Sequence, residues 1–533
     1  MRVRSHRKTS VLKIVARQAV ASTLAFAACL TLVQSVASAS KKSAPSPAPS
    51  AAAASPAPLP TATPEPPEVA IPRLEAKIKA NPSDKDSLQE LAGYDLALGR
   101  PDKALALTQK LLSLGAKTAQ VYYLDGISNQ SLGHINEATT DFENATNLEP
   151  TNAQILLTLT NLYLQTNRGT DAERVAKRAT TFNPSDKRVF ENYGLVLGQL
   201  GKFDQARAQF EAAAKLDPKD PGPVVLEARS YVSQKAIALA GQVFDRALAL
   251  DPKFPDALLG RASVYATDHD VKNAIATYEQ LLAVEPTDDA KAAVLIQEFQ
   301  LYRAEKMNEQ ALAVINRAVA SYPKIGAVHV AKGDYLVSTG KDPAGAEAEW
   351  KTALGPKRDN PDALQRLGEL ALAQNKKSEG VGYFKSLAEL EANDPSVWVT
   401  LGQVYEQNGS FALARDSFRH SFGITRTPVA LAGIGTADLQ LRDYKECSVV
   451  FNAIDRNAPD FMKGNPQLLY VYGKCAASSG ERDAARSAYT RFKAYVKPGS
   501  PLAGELTKAI ASLGSAPSKP TPHPKKTVAP KKK

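Results

Sequence analysis

Along most of the chain, apolar positions recur at the three- and four-residue spacing of an amphipathic helix, and the whole pattern then starts again. One clear instance is SVWVTLGQVYEQNGSFALARDSFRHSF, which places bulky and small residues at Trp398, Leu401, Gly402, Tyr405, Ala414 and Phe418. The same template fits an upstream stretch at Phe190, Tyr193, Gly194, Leu197, Ala206, Phe210 and Pro218. A pattern that returns in this way predicts a repeat protein.

Laid end to end, the template gives twelve units. The first six intervals between unit starts are each 34 residues long, and the later intervals vary from 33 to 38. The predicted starts are Lys85, Ala119, Ala153, Lys187, Pro221, Pro255, Asp289, Gly326, Pro361, Pro395, Pro428 and Pro466. The most regular position of the template holds a small residue, at Ala104, Ala138, Ala172, Ala206, Ala240, Ala274, Ala311, Ala346, Gly380, Ala414, Cys447 and Ala485.

Each unit is predicted to be a helical hairpin. It contains two apolar stripes of helical period, and a turn such as Asn408-Gly409 separates them. A prolyl turn such as Asp217-Pro218 ends the second helix and begins the next unit. Small residues let the two helices approach closely, and the aromatic residues fill the space around that contact. No hairpin buries its own apolar faces, so neighbouring hairpins must stack.

The period and the order of Trp, Leu-Gly, Tyr, Ala, Phe and Pro resemble the tetratricopeptide repeat family, over nearly all of the chain between its two ends. The resemblance implies an all-α fold, a right-handed α-solenoid of helical hairpins. It also implies that the first helix of each unit lines a concave surface that binds a segment of another protein. On this chain the implied partner-binding residues are Tyr123, Ile127, Gln130, Leu157, Asn161, Gln165, Glu191, Leu195, Gln199, Arg229, Gln403, Glu406 and Gln407.

The seventh unit departs from the template. It has Ala292 where a large residue is expected and Ile296 where a small one is, and three extra residues are placed near Lys306 to Asn308. Two interpretations follow. Either an exchange of sizes preserves the packing, or the array has a seam here, expected as a modest kink rather than a hinge.

The two ends of the chain have a different composition. Residues 1–39 have a basic opening, an apolar run from Ala19 to Val36 and the small residues Ala37-Ser38-Ala39, which is the layout of a cleaved secretory signal. An uncleaved membrane anchor and a lipid-modified Cys29 are the alternatives, in that order. Residues 40–69, rich in Pro, Ala and Ser, are predicted to be a disordered spacer, and residues 515–533 a Lys- and Pro-rich disordered tail. The repeats, with a capping helix at 501–513, occupy residues 70–514.

The net charge of +11 lies at the ends of the chain. Residues 1–17 and 515–533 each carry six Lys or Arg and no acidic residue, so subtracting these twelve leaves about −1 for the rest. The repeat region as a whole therefore gives no reason to expect nucleic-acid binding. The basic ends could still contact a membrane or an anionic wall polymer.

We find no motif for chemistry in the sequence. The six histidines stand far apart, and no nucleophile elbow, zinc motif or phosphate-binding loop occurs. We therefore expect no catalytic residue, no metal and no cofactor. Once the predicted signal is removed, Cys447 and Cys475 remain, on helices that are predicted to stack. They form either a disulfide in an exported protein or a pair of small buried residues.

These features predict a non-enzymatic scaffold that is exported to the periplasm, the cell envelope or the medium and binds a partner protein, whose identity the sequence does not give. The alternative is a structural cell-surface protein in which the array is a spacer and the basic termini contact wall polymer or membrane.

Overall fold

The computed structural model describes residues 65–340, 342–356 and 358–514, and within these ranges it contains 27 helices and no strand. The described helices fall into two compact units, and the division between them along the chain lies between Tyr322 and Pro323. Residues 1–64 and 515–533 lie outside the described ranges. The predicted signal or anchor, most of the predicted spacer and the predicted tail belong to these segments.

The unit of residues 65–322 holds one leading helix and seven hairpins. Its helices are α1 (Pro67–Ala80), α2 (Lys85–Ala97), α3 (Pro101–Ser113), α4 (Ala119–Ser131), α5 (Ile135–Leu148), α6 (Ala153–Gln165), α7 (Gly169–Phe182), α8 (Lys187–Gln199), α9 (Phe203–Leu216), α10 (Gly222–Ser233), α11 (Ile237–Leu250), α12 (Pro255–Thr267), α13 (Val271–Val284), α14 (Asp288–Ala304) and α15 (Asn308–Ser321). Because α1 begins at Pro67, the predicted spacer boundary at residue 69 is corrected: residues 67–69 are helical.

The unit of residues 323–514 holds five hairpins and two further helices, which are the short α24 and the final α27. Its helices are α16 (Gly326–Ser338), α17 (Pro343–Leu354), α18 (Pro361–Ala373), α19 (Lys377–Leu390), α20 (Pro395–Gln407), α21 (Phe411–Ile424), α22 (Pro428–Gln440), α23 (Tyr444–Asn457), α24 (Pro459–Gly464), α25 (Gln467–Ser478), α26 (Arg482–Lys493) and α27 (Pro501–Ser512).

Within each unit the hairpins stack in chain order. The second helix of one hairpin contacts the first helix of the next, and several consecutive first helices also contact one another, among them α6 with α8 and α20 with α22. Each unit is therefore an α-solenoid, in which a hairpin buries its apolar faces against its neighbours along the chain.

The helices of each hairpin meet at the small positions of the template. Every alanine at the most regular position is completely buried, as is Cys447. On the first helix, a glycine lies directly against an aromatic ring of the second helix in seven hairpins. These pairs are Gly126 with Phe142, Gly194 with Phe210, Gly333 with Trp350, Gly368 with Phe384, Gly402 with Phe418, Gly435 with Phe451 and Gly473 with Tyr489.

A left-handed residue turns the chain between the two helices of each hairpin. At Gly409, φ is +75°, and the backbone N–H of Ser410 reaches the carbonyl of Tyr405 at 2.9 Å. This closure satisfies a carbonyl that the end of α20 leaves without a partner. The corresponding residues in the other turns are Gly99, Gly133, Asn167, Gly201, Lys235, His269, Lys306, Gly340, Asn375, Arg442 and Gly480.

The seventh hairpin accommodates its extra residues inside its first helix. Helix α14 is 17 residues long, whereas α12 has 13, and the turn at Lys306 has the same left-handed geometry as the others. The predicted placement of the extra residues near Lys306 to Asn308 is therefore wrong. Counted back from the turn, the small position of the template is occupied by Phe299, and Ile315 stands at the aromatic position of α15. Both are completely buried, which is the pattern expected of an exchange of sizes.

No described helix combines the length and the apolar character that crossing a bilayer requires.

Candidate functional site

The first helices of the hairpins carry all thirteen predicted partner-binding residues. We call the surface that they share the first-helix face. In the unit of residues 65–322 it is formed by α4, α6, α8, α10 and α12, and in the unit of residues 323–514 by α20 and α22. The two parts belong to separate units and are described separately.

Amide side chains link three successive first helices. Gln130 on α4 donates through Nε2 to Oε1 of Gln165 on α6 at 3.2 Å. Asn192 on α8 donates through Nδ2 to Oδ1 of Asn161 on α6 at 2.7 Å. The residues of each pair lie roughly one repeat apart in sequence, so the stacking of hairpins is what brings them together. The structure therefore unites Gln130, Asn161 and Gln165, which the sequence predicted only one by one.

Tyr123 requires a correction. Its side chain is only 4% exposed, and its ring packs 5.8 Å from that of Phe142, measured between centroids. Its hydroxyl lies 3.3 Å from Thr158 Oγ1 and accepts a hydrogen bond from Gln154 Nε2 at 3.3 Å. Tyr123 therefore supports the face from inside and does not offer its ring to a partner. Gln154 and Thr158 are polar members of the face that the sequence analysis did not name.

Aliphatic residues lie between these polar groups. Ile127 and Leu157 are half-buried against the hydrophobic core of the hairpins around them. Leu195 on α8 is 39% exposed, and Gln199, one helical turn further on, is exposed as well. The face thus combines amide and hydroxyl groups with an accessible apolar side chain.

The charges on the face are mostly balanced by ion pairs with neighbouring side chains. Arg229 on α10 forms an ion pair with Asp256 on α12 at 3.1 Å. Glu191 on α8 is half-buried, and burial, followed by the charge of Asp220, raises the pKa of its carboxyl. Nearby, Lys187 bridges Asp217 and Asp220 at 2.7 and 2.5 Å. The part of the face in this unit is therefore close to neutral.

In the other unit, Gln403, Glu406 and Gln407 lie on α20. Gln403 and Glu406 are half-buried, and Gln407 is exposed. The hydroxyl of Thr436, on the neighbouring first helix α22, donates to Glu406 Oε1 at 2.7 Å. Burial raises the pKa of Glu406 to about 7, and this hydrogen bond opposes the shift. The Glu406 carboxyl therefore changes its protonation state near neutral pH. Thr436 is a further residue that the sequence analysis did not name.

A buried polar cluster lies inside the hairpin of α4 and α5. Asn129 donates through Nδ2 to Asp141 Oδ2 at 2.9 Å, and the hydroxyl of Thr108 donates to Asp125. Asp125 and Asp141 are both largely buried. Burial, and then the charge of Asp125, raise the pKa of Asp141 to about 6, against the opposing hydrogen bond from Asn129. The four residues are buried and their hydrogen bonds link α3 to α4 and α4 to α5, so we regard the cluster as structural.

Cys447 on α23 and Cys475 on α25 form a disulfide bond in the structure. Their Cα atoms are 5.7 Å apart, and both side chains are completely buried. The bond connects the last two hairpins of the unit of residues 323–514. Within the described ranges no group of three or more His, Cys, Asp or Glu side chains is arranged to hold a metal ion.

Family models of tetratricopeptide repeats match residues 131–191, 192–253, 225–291 and 365–420. The photosystem I assembly protein Ycf3 of Synechococcus sp. strain CC9605 is 30% identical over 131 residues, which are 21% of this chain and 76% of the relative. Human tetratricopeptide repeat protein 7B is 27% identical over 126 residues, covering 24% of this chain and 15% of the relative.

Among solved structures, the crystal structure of YrrB, described as a tetratricopeptide repeat protein with an unusual peptide-binding site, is 23% identical in sequence. It covers 35% of this chain and 95% of its own, with a TM-score of 0.30. The crystal structure of MamA is 22% identical and covers 29% of this chain and 90% of its own, with a TM-score of 0.28. The family models and the Ycf3 relative show that this chain belongs to the tetratricopeptide repeat family.

Proposed function

We propose that this protein is a cell-envelope scaffold whose first-helix face binds an extended segment of another protein. The observation that carries the proposal is the group of accessible amides on two consecutive first helices, Gln130 on α4 and Asn161 and Gln165 on α6. The buried Asn192 on α8 holds Asn161 in place through its hydrogen bond. An extended segment presents backbone N–H and C=O groups at regular intervals, and carboxamides can both donate to and accept from them. A strongly charged ligand would find few charges to pair with.

An apolar contact would supplement these hydrogen bonds. Leu195 projects from α8, the helix that carries Asn192, and remains 39% exposed. An aliphatic side chain of a bound segment that covered Leu195 would remove apolar surface from water on both sides, which favours binding. The expected partner segment is therefore close to neutral and carries apolar side chains at intervals.

Two features support a location outside the cytoplasm. The first 39 residues have the sequence layout of a secretory signal. The disulfide between Cys447 and Cys475 is a bond that persists in oxidising compartments and is rare in the cytoplasm. Because neither feature involves the first-helix face, they favour export whatever the partner is.

The proposed role is of the kind that the family performs, since tetratricopeptide repeats form protein-interaction scaffolds. The Ycf3 relative is by name an assembly protein. For the present chain we propose a comparable role, in which binding brings envelope proteins together and no bond in a substrate is made or broken.

One pair of variants tests the binding face. Leu195→Arg introduces a charge on α8, and Leu216→Arg introduces the same charge on α9, the second helix of the same hairpin, where Leu216 is 42% exposed. Proteins that co-purify with the tagged wild type from crosslinked cells are compared with those retained by each variant. We expect Leu195→Arg to lose a partner that Leu216→Arg keeps. Equal retention by both variants would rule out this part of the face.

Export is tested by the amino terminus of the protein isolated from cells. Cleavage after Ala39 predicts a first residue of Ser40 and recovery outside the cytoplasm. A chain that starts at its original terminus and stays in the cytoplasmic fraction would contradict export.

A further inference from the structure

The positive charge of the folded region is concentrated at its C-terminal end. Residues 451–514 contain nine Lys or Arg and five Asp or Glu, a net charge of +4, whereas residues 65–450 contain 43 Lys or Arg and 50 Asp or Glu, a net charge of −7. These two charges nearly cancel, so the repeat region as a whole is close to neutral although its C-terminal end is basic.

Ion pairs neutralise only some of the nine basic residues. Arg491 pairs with Asp455 at 2.7 Å, Arg486 with Asp483 at 3.2 Å and Lys463 with Asp460 at 2.9 Å. In the described part of the chain, the remaining six form no ion pair. They are Arg456, Lys474, Arg482, Lys493, Lys497 and Lys508. The corresponding acidic residues outside ion pairs are Glu481 and Glu505.

Three of these lysines lie around the connection between α26 and α27. Lys493 donates through Nζ to Thr507 Oγ1 at 2.8 Å, so the ammonium group stands next to the helix that carries Lys508. Lys497 lies in the connection itself, and all three lysines are exposed. We call Lys493, Lys497 and Lys508, together with Tyr495 between the first two, the terminal basic surface.

Tyr495 distinguishes this surface from a purely charged one. Its side chain is 57% exposed, the highest value among the exposed large apolar and aromatic side chains in the described ranges. Beside it, Val496, Ser500 and Thr507 line an open cavity of about 440 Å³. An exposed tyrosine beside lysines is the combination found where proteins meet the headgroup region of a bilayer, because the ring enters the interface while the ammonium groups meet lipid phosphates.

The basic tail starts at the same place. Arg486 on α26 donates to the carbonyl oxygens of Leu513 and Gly514, which fixes the end of the described chain against the last hairpin. Residues 515–533 then add six lysines and no acidic residue. In sequence, the chain therefore continues from this surface directly into a basic segment.

We propose that the terminal basic surface binds the surface of a bilayer that contains anionic phospholipids. The negative potential of such a surface attracts each nearby lysine and adds to the binding free energy, and the contributions of several lysines add up. Tyr495 favours a bilayer over a soluble polyanion, since a dissolved polymer has no interface for a phenol ring to enter. The proposal does not depend on partner binding by the first-helix face.

The test uses the chain from Ser40 onward, which contains every described helix and lacks the apolar N-terminal run. Sedimentation with phosphatidylcholine vesicles, with and without phosphatidylglycerol, measures binding. The triple variant Lys493→Gln, Lys497→Gln, Lys508→Gln is compared with the matched triple Lys117→Gln, Lys177→Gln, Lys272→Gln, whose three lysines are also exposed and outside ion pairs. Circular dichroism confirms that both variants fold.

The proposal predicts that the wild type and the matched triple bind only the anionic vesicles. The triple variant of the terminal basic surface should bind on the order of 100-fold more weakly, given the contribution of a single lysine near an anionic surface. Tyr495→Ser should weaken vesicle binding but leave binding to soluble polyphosphate unchanged. The proposal is overturned if the terminal triple binds like the wild type, if neutral vesicles bind equally well, or if the wild type binds polyphosphate but no vesicle.

Discussion

The ring of Phe418 on α21 lies between two glycines, Gly402 on α20 and Gly433 on α22. A Cβ atom at either glycine would come within 2.6 Å of the ring. Since Phe418 is only 2% exposed and is enclosed from both sides, it cannot move away from a new methyl group. This one contact joins the two helices of a hairpin and the first helix of the next hairpin.

Gly402→Ala is therefore expected to destabilise the fold by about 1–3 kcal/mol, the usual cost of overpacking a core. Gly423 on α21, in the same hairpin, has no atom near the place of a Cβ, and Gly423→Ala should be neutral or stabilise by up to about 1 kcal/mol. Chemical denaturation of the two variants compares them directly. Equal midpoints would contradict the account of the packing.

The size exchange in the seventh hairpin predicts compensation between two residues. Phe299→Ala should cost about 3–5 kcal/mol, because it removes a completely buried ring. Adding Ile315→Phe should recover part of the loss, since it restores the large residue on the second helix, where other hairpins have one. A double-mutant cycle measures the coupling. Strict additivity of the two effects would show that the positions do not share a space.

Stability should depend on pH through Asp141. Its pKa is raised to about 6 in the folded chain, so the folded state holds a proton that the unfolded state has already released. The free energy of unfolding therefore falls as pH rises from about 4 to about 6, and no further loss is expected from this group above that range.

Asp141→Asn removes the cost of ionisation and should stabilise the chain at neutral pH by about 1–2 kcal/mol. The control is Asp416→Asn at an exposed position of α21. Urea denaturation at several pH values tests both variants. A steeper decline of stability with pH in the Asp141 variant than in the wild type would contradict the assignment.

Much of the fold could be predicted from sequence because the same residue pattern recurs in successive units, and each recurrence supports the same hairpin. Glycine or alanine recurs opposite an aromatic residue at a fixed spacing, and only a close-packed helical hairpin requires that arrangement. Lys306 and Phe299 show where this reasoning fails. An insertion of three residues is nearly one helical turn, so it preserves the apolar stripe of α14 and leaves no break for the sequence to reveal.

The candidate site could be predicted less well. Gln130 and Gln165 were placed on the correct helices, but their hydrogen bond depends on the offset between stacked hairpins, which no single repeat encodes. Tyr123 stands at a position that is exposed at Leu259 and Gln365 but half-buried or buried in the other units. Its burial results from the ring of Phe142 and the groups on α6 that surround it. Burial of this kind is set by neighbours that are distant in sequence.

The disulfide makes a simple chemical prediction. In the chain from Ser40 onward, Cys447 and Cys475 are the only cysteines, so the unreduced, denatured protein should contain no free thiol, and the reduced protein two. Reduction should lower the stability of the last hairpins by about 2–4 kcal/mol. Two free thiols before reduction, in protein recovered from its native compartment, would exclude the bond.

The central claim is that the first-helix face is where a partner binds, and site-specific photo-crosslinking in living cells tests it most directly. A photoreactive residue is placed at Leu195 or Gln407 on first helices, and at Leu216 or Leu413 on the second helices of the same two hairpins. All four positions are exposed. The account predicts adducts with one partner protein from the first-helix positions and none from the second-helix positions. Adducts that form equally from both, or from the second helices alone, would contradict it.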